Sequence, residues 1–424
     1  MATTAATPIT LGTSPGLTPR LLTQAGREDL AAYGGYQPLT IDLLDEVEAS
    51  GLLGRGGAGF PFAVKARAVR DNGRVAGGAV VVANGEEGEP ASIKDRWLLR
   101  NRPHLILDGL RLAAAMVGAD RAYVYVSDAD SARSVESALA ELGTDALGGV
   151  AVEVYTVEAG YVAGEETAAV RALNGGPVKP TDKPPRPFQE GVDGLPTLVS
   201  NVETLAGLPF VQQHGAAEFR SLGTSDSPGS FLVTLTGAGH APALYELPHG
   251  LSFTDLLALR GISPDQVQAV LMGGYFAGLL DRAVLDATLD HEALRALGSG
   301  LGNGAISVIT DDCPLAVAAS VLAYFDRENA GQCGSCFNGT AAMAAVAGAL
   351  RDGAATEDDV ARLRRWSVVL RGRGACATLD AATNIAASLL SHFPDLVQSH
   401  LDNSCQTCQS GAFTGDRPYQ VEAL

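Results

Sequence analysis

One stretch limits what this chain can fold into more than any other. Gly54 to Lys65 reads Gly-Arg-Gly-Gly-Ala-Gly-Phe-Pro-Phe-Ala-Val-Lys. Gly54, Gly56 and Gly59 satisfy a G-x-G-x-x-G pattern, with Arg55 and Gly57 inside it. Without a Cβ in the way, backbone N–H groups at such a loop can approach a phosphate closely. In the standard dinucleotide fold this pattern follows a buried strand. Here Leu39 to Leu53 precedes it, with Ile41, Leu43, Leu44, Val47 and Leu52 at helical spacing and acids between them. The expectation is a phosphate-bearing cofactor held in a helix–loop–helix setting. Phe60, Pro61 and Lys65 follow at once, which fits a mere flexible linker poorly.

The length of 424 residues predicts two or three domains. A formal charge of −18 disfavours nucleic acid and anionic membrane, which need a basic footprint, and suits a neutral or basic protein partner. The longest apolar run, near Pro314 to Phe325, is too short to span a bilayer. Residues 1–19 lack the basic start and apolar core of a signal peptide. A disordered lead over 1–30, a cytoplasmic location and reduced or metal-bound cysteines are expected.

After the loop, Ala79 to Ala83 is a short, wholly apolar run, the pattern of a strand buried on both faces. At its carboxyl end stands Asn84-Gly85-Glu86-Glu87-Gly88-Glu89-Pro90. Ligands of open α/β sheets bind outside the carboxyl ends of strands, and carboxylates there would accept ribose hydroxyls and repel a 2′-phosphate. The alternative is a solvated acidic turn. Helical and strand patterns then alternate: Ile106 to Val117, Ala122 to Val126, Ser131 to Leu142, Val152 to Val157. This order predicts a parallel sheet covered by helices. From Gly229 the pattern changes to short strands (Phe231 to Leu235, Ala243 to Leu247, Val270 to Tyr275) and a capped helix with Ser252 or Thr254 at its start. From Pro314 it is helical and alanine-rich, with Cys333-Gly334-Ser335-Cys336, then Cys376, then Cys405 and Cys408. Cys313 reads as a small buried hydrophobe, and no histidine shows metal-ligand spacing with another.

Taken together these motifs resemble the flavin- and NADH-binding subunit of respiratory NADH:quinone oxidoreductase (complex I) and the diaphorase subunits of NAD-linked hydrogenases and formate dehydrogenases. The family loop is G-R-G-G-A-G-F-P followed by a lysine, matched by Gly54 to Pro61 and Lys65. Its N-A-D-E-x-E-P is matched by Asn84 to Pro90, with Gly85 and Glu86 as mild departures. Its G-x-Y-[IV]-x-G-E-E-T resembles the stretch holding Tyr161, Gly164, Glu165 and Glu166. Its K-P-P is matched at Lys183, and its N-N-V-E-T-L by Ser200 to Leu205, which contain Asn201 and Thr204. The resemblance implies an α/β fold in three parts: a Rossmann-like FMN domain (31–225), a ubiquitin-like β-grasp domain (226–311) and a helical-bundle iron–sulfur domain (312–424). It implies FMN on the glycine loop, NADH stacked on the flavin, and electrons leaving through an iron–sulfur cluster to a partner. That partner would be a thioredoxin-like [2Fe–2S] subunit or a ferredoxin-type acceptor in a hetero-oligomeric complex. Aromatics that sandwich adenine in the family are represented by Phe60, but Ala68 and Arg186 take the later positions. A flavin-binding relay or assembly subunit without NADH turnover is therefore the alternative.

The family's E-S-C-G-x-C-x-x-C supplies three cysteines to a [4Fe–4S] cluster, and a distant one completes it. Cys333, Cys336 and Cys376 match, but Ala330 replaces the first. The fourth ligand is expected from the tail, with Cys405 preferred to Cys408. A [3Fe–4S] centre, a non-cysteine ligand, no cluster at all, and zinc at these thiolates stay open.

Overall fold

The computed structural model describes residues 9–23, 26–39, 42–143 and 146–422. Met1–Pro8 and Ile41, which entered the sequence expectations, lie outside these. The expected disordered lead is corrected within the described part. Thr10–Thr13 forms strand β1, and Asp29 caps a short helix, Leu30–Tyr33. A four-residue strand carries little periodicity of its own. Its partner is more than two hundred residues away, so the local sequence could not announce it.

The glycine loop sits between two helices, as its flanks predict. Leu43–Ser50 is stopped by Gly51 at φ 69°, and Phe62–Ala76 is stopped by Gly77 at φ 82°. Next come four strands, β2 (Val80–Asn84), β3 (Arg121–Val126), β4 (Ala151–Thr156) and β5 (Thr197–Asn201). They form one wholly parallel sheet in the order β4-β3-β2-β5. Val81 and Ala83 of β2 pack into the larger core, which includes Ile106 and Leu110 of the helix Pro103–Val117. Val80 and Val82 face the opposite cluster, with Tyr125 and Val170. Both faces are thus covered, which is why the strand reads as unbroken apolar sequence. The register pairs Asn84 with Asn201, placing both asparagines side by side at the carboxyl edge of the sheet.

The second sheet is mixed. It contains β1, β6 (Ser230–Gly237), β7 (Ala243–Pro248), β8 (Ala269–Met272), β9 (Leu279–Leu280) and β10 (Ala305–Ile309), in the order β1-β7-β6-β10-β8-β9. β1 lies parallel to β7 at the edge, and β10 is parallel to β6 at the centre. The helix Phe253–Ala258 is capped by Ser252, whose oxygen accepts the Asp255 amide.

The helical region consists mainly of Pro314–Glu328, Gly334–Arg351, Glu357–Val369 and Thr378–His392. Proline opens the first, where its missing N–H costs nothing. Thr356 and Asp359 form a reciprocal capping box on the third. Two short helices, Pro394–Leu401 and Gln406–Gly411, follow. The chain end then returns to the first sheet, where the Val421 amide donates to the Pro90 carbonyl at 2.9 Å. Among the described residues no helix is long and apolar enough to cross a membrane.

Candidate functional site

The glycine loop is pinched at its base. The Gly54 amide donates to the Phe60 carbonyl at 2.8 Å, and that of Phe62 donates to Leu52 at 3.0 Å. Between these ties Gly57 has φ 120° and Gly59 has φ 60°, values that side chains disfavour. A Cβ on Gly59 would stand 2.7 Å from the His291 ring, and one on Gly56 would stand 3.3 Å from Asn201 Cβ. The amides of Gly56, Gly57 and Ala58 make no hydrogen bond of ordinary geometry with any described residue. The three residues line a cavity of about 480 Å³. The helix Phe62–Ala76 starts at its rim without a side-chain cap. Free amides and a bare helix N-terminus together make a cradle of the kind that receives a phosphate.

All the predicted cofactor residues except Arg55 and Lys183 line this one cavity. Both exceptions have physical reasons. Arg55 turns away from the cradle into the interface with the second sheet. There its guanidinium donates to His249 Nε2 at 2.5 Å and to the Ser230 carbonyl at 3.0 Å. Burial, with Arg55 and His291 beside it, holds the His249 imidazole neutral. Only the Arg55 backbone serves the site, through its amide bond to Thr204 Oγ1 at 2.8 Å. Lys183 reaches Glu165 Oε1 at 2.5 Å from outside the cavity.

The carboxylates do not share one role. Glu165 caps the helix Glu166–Leu173, accepting the amides of Thr167 and Ala168. Glu87 is engaged in the same way by the amides of Asp95 and Arg96, by Ser92 Oγ and by the Arg96 guanidinium. These two line the wall with their ligand capacity largely used. Glu166 pairs with Lys65 at 2.8 Å, and Lys65 also donates to the Val199 carbonyl at 2.9 Å. Burial disfavours the Glu166 anion, but Lys65, Lys183 and Arg186 outweigh it and keep its carboxyl below the ordinary range. Burial pushes the carboxyl of Glu86 upward. Glu89 accepts the amides of Tyr275 at 2.9 Å and Ala91 at 3.3 Å, and burial raises its carboxyl to about 8.

The folded chain therefore holds the Glu89 proton up to about pH 8, whereas the unfolded chain releases it near the ordinary 4.5. Between these values the folded state binds more protons, so this group's contribution to stability falls as pH rises. Glu89→Gln is expected to lose less melting temperature than the wild type between pH 6 and pH 9. Parallel thermal melts of the two would check this, and identical slopes would place Glu89 in an ordinary ionised state.

Residues absent from the sequence expectations also shape the cavity. Lys94, fully buried, donates to Asp95 Oδ1 at 2.7 Å and Asn201 Oδ1 at 3.1 Å, and pairs with Glu203 at 3.0 Å. Asp95 reaches the cavity wall. The signal was a Lys-Asp-Arg run immediately beyond the acidic loop. Phe276, Asn303 and Thr378 join from the other two regions, and no local pattern marked them. Tyr275, by contrast, is fully buried, with its hydroxyl on the Pro418 carbonyl at 2.5 Å.

Cys333 immediately precedes the helix Gly334–Arg351 and Cys336 lies in its first turn. Burial pushes the Cys336 thiol up to about 12, with Cys376 and then Cys333 adding to the effect as neighbours. Cys376 also lies on the cavity wall. Ala330 offers only its carbonyl, which Lys179 takes at 2.7 Å. The expected fourth ligand is corrected. Cys405 lies 3.9 Å from Cys313, at the start of the helix Pro314–Glu328, whereas Cys333 follows that helix's far end. Fifteen helical residues span about 22 Å, which no side chain bridges. The thiols at hand thus fit an iron–sulfur cluster with three cysteine ligands.

Residues 47–209 match the model of the Nuo51 FMN-binding domain, and residues 316–400 that of the NADH-ubiquinone oxidoreductase-F iron-sulfur binding region. The second NADH-quinone oxidoreductase F subunit of Rhizobium meliloti is 34% identical over 387 residues, 88% of this chain and 91% of that protein. The corresponding protein of Mycobacterium tuberculosis is 32% identical over 394 residues, 87% of this chain and 88% of its own length. Among solved structures, an air-oxidised NAD+-reducing [NiFe]-hydrogenase aligns with TM-score 0.82 and 30% identity, over 93% of this chain and 68% of that one.

Proposed function

The chain belongs to the family of NADH-quinone oxidoreductase F subunits, and on that premise we propose how its own residues carry out the family's electron transfer. It is an NADH-oxidising flavoprotein whose cofactors are FMN, NADH and a [4Fe–4S]-type cluster. The assignment of roles rests on one observation: glycine loop, carboxylates and Cys376 line a single cavity.

Bound FMN supplies hydride acceptance and one-electron release, which no side chain can perform. The amides of Gly56, Gly57 and Ala58 and the N-terminus of Phe62–Ala76 bind its phosphate. Lys65 and Glu166 stand as a pair on the same wall. Glu86 and Glu166 accept from the nucleotide's ribose hydroxyls, and the anionic Glu166 repels a 2′-phosphate, favouring NADH over NADPH. Phe60, half exposed at the rim, offers a face to adenine, with the Arg186 guanidinium as the second face. Asn84 and Asn201 keep the floor in register, the former through Gly164 at 2.7 Å and the latter through Asp95 at 2.8 Å. Cys333, Cys336 and Cys376 hold the cluster, with its fourth corner on a ligand other than cysteine.

Anaerobic titration with NADH is expected to bleach the flavin absorbance at about one equivalent per FMN. Full retention of colour would instead identify a flavin-binding relay without NADH turnover. Ala330→Cys is expected to raise iron content and suppress any [3Fe–4S] EPR signal that forms in air. An unchanged signal would remove position 330 from the cluster's surroundings. The protein works within a hetero-oligomeric redox complex, as its relatives are named as subunits. Within it the acceptor is a thioredoxin-like [2Fe–2S] subunit or a ferredoxin-type protein, in the cytoplasm.

A further inference from the structure

Four ligand-type side chains that the flavin and cluster sites leave unused meet at the opposite end of the helical region. Cys313 immediately precedes Pro314–Glu328, His400 lies in the last turn of Pro394–Leu401, Cys405 immediately precedes Gln406–Gly411, and Cys408 lies in that helix. Their ligand atoms all lie within 4.8 Å of one another. Cys313 Sγ is 3.3 Å from His400 Nε2 and 3.9 Å from Cys405 Sγ, and Cys408 Sγ is 3.8 Å from His400 Nε2. In a tetrahedral zinc site with bonds of about 2.3 Å to sulfur and about 2.0 Å to nitrogen, neighbouring ligand atoms stand roughly 3.5–3.8 Å apart. The observed separations are close to the edges of that tetrahedron. A multi-iron cluster would hold its thiolates farther apart, because several irons and sulfides must fit between them.

The surroundings agree. His400 Nδ1 lies 2.9 Å from the Leu350 carbonyl, so the ring donates there and turns the Nε2 lone pair toward the sulfurs. Such a bond commonly orients a metal-bound histidine. Cys313, His400 and Cys405 are buried, which keeps the ligand atoms out of bulk water. A disulfide would use two of the four groups and leave the imidazole without purpose.

We propose that Cys313, His400, Cys405 and Cys408 bind one zinc ion. With four protein ligands and no open position, the ion is structural. It fastens the tail to the point where the second sheet gives way to the helices. Beyond Cys408 the tail runs on to Tyr419, whose hydroxyl donates to Asp312 at 3.0 Å, to Pro418 over Tyr275, and to Val421 beside Pro90. Tyr275 in turn holds Glu89 of the cavity wall. The ion therefore secures the segment that backs this wall.

The full-length protein, purified anaerobically with its flavin and iron, is expected to contain about one zinc per chain by elemental analysis. Growth with cobalt should give the visible d–d bands and thiolate charge-transfer absorption of a tetrahedral cobalt site. Cys408→Ser should lower zinc content at least about tenfold while flavin and iron per chain stay unchanged, and should speed proteolysis between 402 and 411. The proposal is overturned if the wild type lacks zinc and shows no cobalt bands. It is also overturned if iron rather than zinc falls in Cys408→Ser, or if mass spectrometry finds Cys313 disulfide-bonded to Cys405. Should Cys408→Ser fail to fold, the wild-type zinc content and cobalt spectrum decide alone.

Discussion

Gly57→Val is expected to give a folded protein carrying at least about tenfold less FMN than the wild type. Gly57 adopts φ 120°, where a β-branched residue is strained by roughly 1–3 kcal/mol. The obstacle is conformational rather than steric, since a Cβ there would meet nothing closer than 3.9 Å. The loop would relieve the strain by turning the next amide away from the cradle. About 1.4 kcal/mol of lost binding is a factor of ten. The fold should survive, because the loop's base is tied by Gly54 and Phe62 and its flanking helices are anchored in the core. Flavin absorbance per protein after reconstitution would measure the effect. A wild-type flavin content would mean that the phosphate is held elsewhere.

Lys94→Met should cost about 3–5 kcal/mol of stability, the range for breaking a buried ion pair from one side. The Lys94 ammonium is fully buried between Asp95 and Glu203. Burial disfavours its charge, but Asp95, Glu203 and Glu87 outweigh burial and keep it protonated. Removing it leaves two buried carboxylates facing each other without a cation. Glu203 also accepts the Leu232 amide of β6 at 2.9 Å, so the disturbance would reach the joint between the two sheets. Denaturant unfolding would show the loss, and Lys94→Met with Glu203→Gln should recover part of it. Equal stability of Lys94→Met and the wild type would show that water reaches this site.

The sequence by itself determined the elements whose cause is local. The unbroken Val-Val-Val of β2 signalled a strand covered on both faces, because burial on both sides removes polar alternation. The spacing of Leu43, Leu44 and Val47 signalled the helix before the glycine loop, and the loop's own glycines signalled its left-handed turns. Apart from Lys183, the predicted site residues from Asn84 to Thr204 reach one cavity because the parallel sheet aligns its carboxyl ends. Only the tertiary structure decided what each side chain does there. Arg55 belongs to the glycine motif yet turns toward His249, while Glu87 and Glu165 are taken up as helix caps. Lys94 is buried because two carboxylates, one of them more than a hundred residues away, surround it. The cysteines show the limit most clearly. Spacing along the chain could not say which thiols share a site, since the length of Pro314–Glu328 puts Cys313 and Cys405 at one end and Cys333 beyond the other. A helix fixes the distance between its ends by geometry, and only the folded chain shows which residues return to each end.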